Sequence, residues 1–353
     1  MGPYPPPYGG NAIQMCAWLK HLEKLGSYEC CVLNIGESRR ERIIGCISVF
    51  GMVDFLRKLW VFARKGYILH LHTNGHNFKS WLVSFACIAS GFPNGRKTVV
   101  TLGSGDAAQY IRKARLSRLL IKACLKLSGW FICINEPMRA ALMHAGACSE
   151  RISVIHGFFG VQTEENFDLP KALSEYVDSH FPLLGATVYV PQSGVLYPEY
   201  GVDFLIKLIR ELRGIYPQIG TLIIGPTEEA RQQIEKLSQN DQSVMFTGPL
   251  SHDLALTVMK RLTVFVRPTY TDGDSISVRE ALALKIPVVA SDTDYRPKGV
   301  IIFKKGDLQD FLAKALKTLE NPTDAIANAD NLNESEVTSV DSLLKVYRHL
   351  AIA

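Results

Sequence analysis

The chain has 353 residues, 47% hydrophobic and 21% charged, which fits a globular protein of about two domains and excludes a disordered or collagen-like chain. The formal charge of +5 permits an anionic partner but does not call for nucleic acid, so none is expected. No stretch reaches the ~18 uncharged apolar residues of a spanning helix; the longest candidate, WLVSFACIASGF at 81–92, reads as a buried helix.

The opening MGPYPPPYGG lacks the basic, apolar and small-residue order of a secretory signal, and Pro6 stands where a myristoylated chain carries Ser or Thr. The expected compartment is the cytoplasm. PPPYGGNAIQMCAWLKHLEKLG then reads as a glycine loop that opens a helix. The strands CCVLNI, YILHLH, KTVVTLG and WFICIN follow, with helices between them. HLHTNGH puts His70 and His72 on one face of its strand. With no convergent carboxylate or thiol nearby, these read as buried or cleft-lining residues rather than metal ligands. His156, after ISVI, reads first as a structural hydrogen-bonding residue and second as cleft-lining.

YIRKARLSRLLIKACLKLSG, at 110–129, reads as one helix of about four turns with Arg112, Lys113, Arg115, Arg118, Lys122 and Lys126 on a face opposite Leu, Ile and Ala. Such a face is either solvated or drawn to anionic lipid headgroups. All eight cysteines lie before residue 149 and lack the paired spacing of a zinc site, so reduced and buried thiols are expected. Their abrupt end also marks a change of domain.

The second half repeats the alternation. GATVYVPQSG, IGTLIIGP, SVMFTG, TVFVRP and IPVVAS read as strands separated by helices. Strand and helix alternating in both halves imply an α/β protein of two Rossmann-like, doubly wound parallel-sheet domains facing a cleft. The expected organisation is a first domain at 1–165, a linker at 166–182, a second domain at 183–335 and a C-terminal capping helix at 336–353.

The stretch RPTYTDGDSISVREALALKIPVVAS, at 267–291, combines a strand end, a turn, a helix and a short apolar strand buried on both faces. Ligands of parallel sheets bind outside the carboxyl ends of the strands, so the loop at Asp272 to Ser275 is expected to line a crevice. Ser275 or Asp274 is placed to cap the helix. Free amides at such an end attract phosphate, whereas Asp272 and Asp274 repel it. The consistent reading gives the amides to a phosphate and the carboxylates to neutral hydroxyls, in which sugars and riboses are rich. Arg279, beside Glu280 on the helix, reads as half of a surface pair.

On these residues the chain resembles the retaining glycosyltransferases of the GT-B fold, the glycogen-synthase-like, family 4 type that includes bacterial mannosyl- and glucosyltransferases. GPYPPPYGGNA resembles the Pro-rich strand end and Gly-Gly loop, YILHLHTNG the "vvHlHs" strand, and GVLYPEYGVDFLI the "grLxxxKGvdxLi" element. INEPMRAALMHAGACSERISVI resembles the approach to the linker, and PTYTDGDSISVREALALKIPVVASD the E-x7-E segment. The resemblance implies roles. Glu280 would accept from the ribose of a nucleotide-sugar donor and Asp272 from the donor sugar. The backbone of Gly273, Asp274 and Ser275 would support the sugar or diphosphate. Gly9 and Gly10 would let the N-terminal loop approach the diphosphate, and Gly225 and Gly248 would border the base pocket.

Four positions depart from the family pattern. Val195 and Tyr200 stand where it carries the Arg and Lys that neutralise the leaving diphosphate, and Asp272 is one methylene shorter than its Glu. Gly103 stands where a His near the acceptor is usual. Arg296 is the first candidate for a replacement cation, because its loop follows the strand IPVVAS; Lys298, Arg267 and Arg279 are others. The implied activity is hexosyl transfer with retention from a nucleotide-diphosphate sugar to an acceptor hydroxyl, in surface polysaccharide or glycolipid assembly. No metal or other cofactor is expected. The acceptor is expected to be lipid-linked or a saccharide, with an anionic membrane surface met through Arg112, Arg115, Arg118 and Lys122. The alternative is a non-catalytic nucleotide-sugar-binding partner subunit of a transferase.

Overall fold

A computed structural model describes residues 1–352 apart from 158, 159, 162–166, 192, 226, 227 and 328–331. The expected junction at residues 165 and 166 therefore falls outside the described residues. The chain divides into two units, the first comprising Met1–Phe159, Asp272–Asp274 and Ser335–Ala353, the second Gly160–Thr271 and Ser275–Glu334.

In the first unit, α1 (Gly10–Leu25) is followed by β1 (Leu33–Asn34), β2 (Ile47–Ser48), α2 (Met52–Arg64), β3 (Leu69–Thr73) and α3 (Phe78–Gly91). Then come β4 (Thr98–Leu102), α4 (Ala107–Lys113), α5 (Arg118–Leu127), β5 (Trp130–Cys133), α6 (Glu136–His144) and β6 (Ile152–Val154). β3, β4, β5 and β6 form a parallel sheet in that order, and β1 and β2 a separate parallel pair. Every residue of β4 is buried, as an apolar run covered on both faces requires.

The expected strand CCVLNI shrinks to Leu33–Asn34. The expected single basic helix is two helices: α4 stops at Ala114, which turns extended, and α5 starts after Ser117. The cause is a buried hydroxyl. Ser117 is 3% exposed and its Oγ lies 2.5 Å from the Tyr110 hydroxyl, a contact that folds the chain back between two stretches of good helix formers. Burial pushes the thiols of Cys87, Cys124 and Cys133 up to about 12, so these three are inert packing groups, while Cys31 and Cys148 are exposed.

In the second unit, α7 (Lys171–Ser179), β7 (Leu183–Thr187), α8 (Val202–Arg213), β8 (Gly220–Ile224), α9 (Arg231–Ser238) and β9 (Val244–Phe246) come first. They are followed by α10 (His252–Met259), β10 (Val264–Arg267), α11 (Ile276–Ala283), β11 (Val288–Ser291), β12 (Ile301–Phe303), α12 (Leu308–Glu320) and α13 (Pro322–Ala327). The sheet is parallel throughout, in the order β12-β11-β10-β7-β8-β9. The chain starts in the middle at β7, moves outward through β8 and β9, and returns to add β10 on the other side. The β7/β10 seam is thus the switch point of a doubly wound sheet. One core cluster of this unit includes Phe204, Phe303 and Phe311; the last two rings stack with centroids 4.0 Å apart. Burying each such side chain contributes about 1.5–3 kcal/mol.

The final helix, α14 (Leu332–Ile352), packs its later turns into the first unit, where Trp18 Nε1 donates to the Tyr347 hydroxyl at 3.0 Å and Leu343, Val346 and Leu350 join a cluster with Val99 and Ile132. The two Rossmann-like, parallel-sheet domains expected from the sequence are both present. Among the described residues no helix is long and apolar enough to cross a membrane.

Candidate functional site

Parallel strands deliver their last residues to one edge of the sheet, so the residues that end β7 and β10 meet at the switch point. Arg267, the last residue of β10, donates from Nη1 to the Thr187 carbonyl at 2.8 Å. Thr187 Oγ1 lies 2.7 Å from Ser277 Oγ, which lies 3.1 Å from Ser275 Oγ. One guanidinium and three hydroxyls therefore form a continuous polar line from the strand ends into the first turn of α11. Ser275 occupies the N-cap position but makes no capping bond with its side chain, contrary to expectation. Its hydroxyl turns to Ser277 instead.

The Arg267 guanidinium also lies over the Tyr200 ring, 5.2 Å from its centroid. Tyr200 sits one residue before Gly201, whose φ of 65° is left-handed and where a Cβ would stand 2.1 Å from the Pro268 carbonyl oxygen. That backbone contact fixes the loop bearing Tyr200 against the end of β10. Val195 is 47% exposed.

Glu280 lies on α11 and is 5% exposed, which makes a partner obligatory for its carboxylate. The partner is His252, the first residue of α10, with Nε2 2.6 Å from Glu280 Oε1. A carboxylate only accepts, so Nε2 carries the proton. Arg279 is not a surface residue: it is 2% exposed, and its Nη2 donates to the Tyr295 hydroxyl at 3.1 Å. The reason is that α11 buries five consecutive residues, Val278 to Leu282, so it has no solvated stripe for an exposed pair.

Arg296 donates from Nε to the Ser291 carbonyl at 2.9 Å and from Nη2 to Thr269 Oγ1 at 3.0 Å. It ties the loop after β11 to the segment after β10. Lys298 is exposed. Gly225 and Gly248 follow β8 and β9 in left-handed conformations, φ 88° and 75°.

In the first unit, the short stretch Asp272–Asp274 packs closely. A Cβ on Gly273 would stand 2.6 Å from Ile134 Cδ1, and one on Gly105 would stand 2.5 Å from the Asp272 carbonyl carbon. The Asp274 side chain is fully buried, with Oδ2 2.9 Å from His156 Nδ1, which also lies 3.2 Å from the Ile134 carbonyl. Asp272 is half-buried. Gly9 is the N-cap of α1 with ordinary extended dihedrals, and Gly10 is its first residue. The space beside Gly103, where a family His was expected, is taken by the Asn11 amide, which donates to Asn74 Oδ1 at 2.7 Å.

His252, Tyr295, Thr187 and Ser277 carry no local signal in the sequence. His252 precedes Glu280 by 28 positions, and only the sheet order brings α10 beside α11. Among the described residues no group of three or more His, Cys, Asp or Glu stands together as a metal site.

Residues 189–321 match the sequence family described as glycosyl transferases group 1, less than half of the chain. No curated protein matches the chain in sequence. In structure, the chain is similar to Anabaena HepE solved with UDP, with TM-score 0.66 and 15% identity over 99% of this chain and 97% of that one. It is also similar to sucrose-phosphate synthase from Thermosynechococcus elongatus (TM-score 0.68, 16% identity, 97% and 94% covered) and to S. aureus MnaA solved with UDP (0.66, 14%, 99% and 96%). At these identities the likeness is one of fold, and the fold is that of the GT-B class.

Removing His252 strands a buried carboxylate. His252→Ala is expected to destabilise the protein by about 1–3 kcal/mol in urea unfolding. In a double-mutant cycle with Glu280→Gln the two changes should be non-additive by at least ~1 kcal/mol. Simple additivity would mean that the pair is not a bond the fold depends on.

Proposed function

We propose that the protein is a glycosyltransferase that moves a hexose from a nucleotide-diphosphate sugar to an acceptor hydroxyl with retention, in the assembly of surface polysaccharide or glycolipid. The observation that carries this reading is the buried Glu280 of α11 paired with His252 of α10, both inside the segment that matches glycosyl transferases group 1. One Glu280 oxygen stays with His252 and the carboxylate accepts from the ribose hydroxyls. Asp272 accepts from the donor sugar, the amides of Gly273 to Ser275 support sugar and diphosphate, and Gly225 and Gly248 border the base. HepE and MnaA were each solved with UDP, which makes uridine diphosphate the first nucleotide to test here.

In the reaction, the bond from the anomeric carbon to the diphosphate oxygen breaks and the acceptor oxygen bonds to that carbon. The acceptor proton passes to the leaving diphosphate, whose growing charge calls for a fixed cation. With Val195 and Tyr200 in the family's basic positions, Arg267 is assigned that task. Its guanidinium lies over the ring of Tyr200, the residue that replaces the family's Lys, and beside the first turn of α11. Arg296, which ties the loop after β11 to the segment after β10, is the second candidate.

The same two replacements favour a second reading, a subunit that binds a nucleotide sugar without turning it over. Kinetics separate the two. Slow donor hydrolysis, or transfer in the presence of a membrane extract, is expected from the unaltered protein. Arg267→Met should lower kcat about 100- to 1000-fold, and Tyr200→Lys in that background should restore part of it. Donor binding with no turnover would select the non-catalytic reading, and an unchanged kcat in Arg267→Met would remove Arg267 from the mechanism.

The lipid-linked acceptor is proposed to be met at an anionic membrane surface. The junction of α4 and α5 supports this, because Leu116 and Leu119 are 97% and 82% exposed among the exposed cations Arg112, Arg115, Arg118 and Lys122. Apolar tips among cations suit the headgroup boundary of an anionic bilayer. The protein should sediment with phosphatidylglycerol vesicles at low salt and be released at high salt. Replacing Arg115, Arg118 and Lys122 with Gln should abolish sedimentation. Equal binding to neutral vesicles would contradict the proposal.

A further inference from the structure

Three helices of the first unit form one layer on its sheet. Phe55 and Leu59 of α2 share a core cluster with Leu71 of β3, and Trp81 of α3 and Cys124 of α5 share another with Val100 of β4. Leu71 and Val100 are register partners, so their side chains stand on the same face of the sheet. α3 lies in the middle, packed against α2 and against α5. The exposed sides of the three helices therefore make one outer face.

That face carries apolar residues where the outer side of a helix is normally polar. On α2, Val53, Leu56 and Trp60 are 83%, 42% and 57% exposed, although Phe55, Leu59 and Ala63 already supply its contact with the core. Positions i, i+3 and i+7 share one side of a helix, so the three form a stripe about 10 Å long. Phe78 and Leu82 are exposed on α3, and Leu119 on α5. Single exposed apolar side chains are ordinary, whereas a patch that runs across neighbouring helices marks a contact.

The charge around the patch selects the partner. Arg57, Lys58 and Arg64 of α2 are joined by Lys79 of α3 and by the cations of α5, while the only acid on the three helices is Asp54, which Lys58 holds at 2.6 Å. Two aromatic rings carry cations. The Arg64 guanidinium lies 4.7 Å from the centroid of the Trp60 ring, and Lys58 Nζ lies 5.6 Å from that of Phe50, itself exposed. A ring with a cation beside it suits the boundary of an anionic bilayer, the ring among the upper acyl carbons and the cation among the phosphates. A second copy of the chain seated on the same face would set cations against cations.

We propose that α2 lies in the plane of an anionic bilayer, with Val53, Leu56 and Trp60 below the headgroups and Arg57 and Arg64 on lipid phosphates. The proposal rests on the membrane contact proposed above for the junction of α4 and α5, and extends it. α5 belongs to the same layer as α2, so the cations at the junction draw the surface in while α2 supplies the apolar hold. Together they fix which face of the first unit lies on the membrane.

Trp60 reports on this contact directly, because Trp18 and Trp81 are buried and Trp130 is half-buried with its Nε1 donating to Ser153 Oγ. Vesicles of phosphatidylglycerol brominated on its acyl chains should quench tryptophan fluorescence at low salt, and Trp60→Phe should remove the quenching. Leu56→Ser combined with Trp60→Ser should weaken vesicle binding at least about tenfold, while the melting temperature stays within about 2 °C because both side chains are exposed. Sedimentation with the vesicles but no quenching would overturn the proposal and leave the contact at α4 and α5 standing. No sedimentation would overturn both. A dimer in solution that the double substitution dissociates would give the face to a second copy, and would likewise overturn the proposal.

Discussion

A carboxylate removed from water needs a partner, and the position of Glu280 rests on that requirement. α11 is buried along five consecutive residues, so an acid within it survives only because α10 opens with a histidine at the right height. The order β10-β11 on one side of the switch point sets α11, and the pair fixes the carboxylate to one orientation. A group held in this way is ready to accept from a ligand without first being ordered, which is how binding sites avoid part of the entropy cost of binding.

The switch point imposes the second constraint. β7 and β10 are distant in sequence but neighbours in the sheet, and their last residues, Thr187 and Arg267, are joined through the Thr187 carbonyl. The loop of Tyr200 is pressed against the same place by the contact of Gly201 with Pro268. An aromatic ring under a guanidinium is a common way to hold Arg in one rotamer while leaving its charge intact. Tyr200 at this point is therefore compatible with a cation brought by Arg267 from another strand.

Much of the fold was legible because its strands are short apolar runs. TVFVRP and IPVVAS are recognisable as buried parallel strands, and both are. What failed to show in the sequence depends on tertiary partners. Arg279 beside Glu280 has the pattern of an exposed pair, and nothing local reveals that the whole helix is covered. The residues around Ser117 are good helix formers, and the break there comes from one buried hydroxyl contact. β12, only three residues long, precedes a Lys-Lys-Gly turn and gives too short a signal. At the candidate site, the acids and glycines of 272–280 were visible as a motif, whereas Thr187, His252 and Tyr295 reach it only through the folding of the second unit.

Glu280 is proposed as the ribose acceptor of a nucleotide site in the second unit. Calorimetric titration with the nucleoside diphosphate that binds and with its 2′,3′-dideoxy analogue tests it most directly. Loss of the two hydroxyls should weaken binding to the unaltered protein by at least about tenfold, since a buried acceptor then loses its partners. Glu280→Ala should erase the difference between the two ligands. Equal affinity of the unaltered protein for both ligands would contradict it.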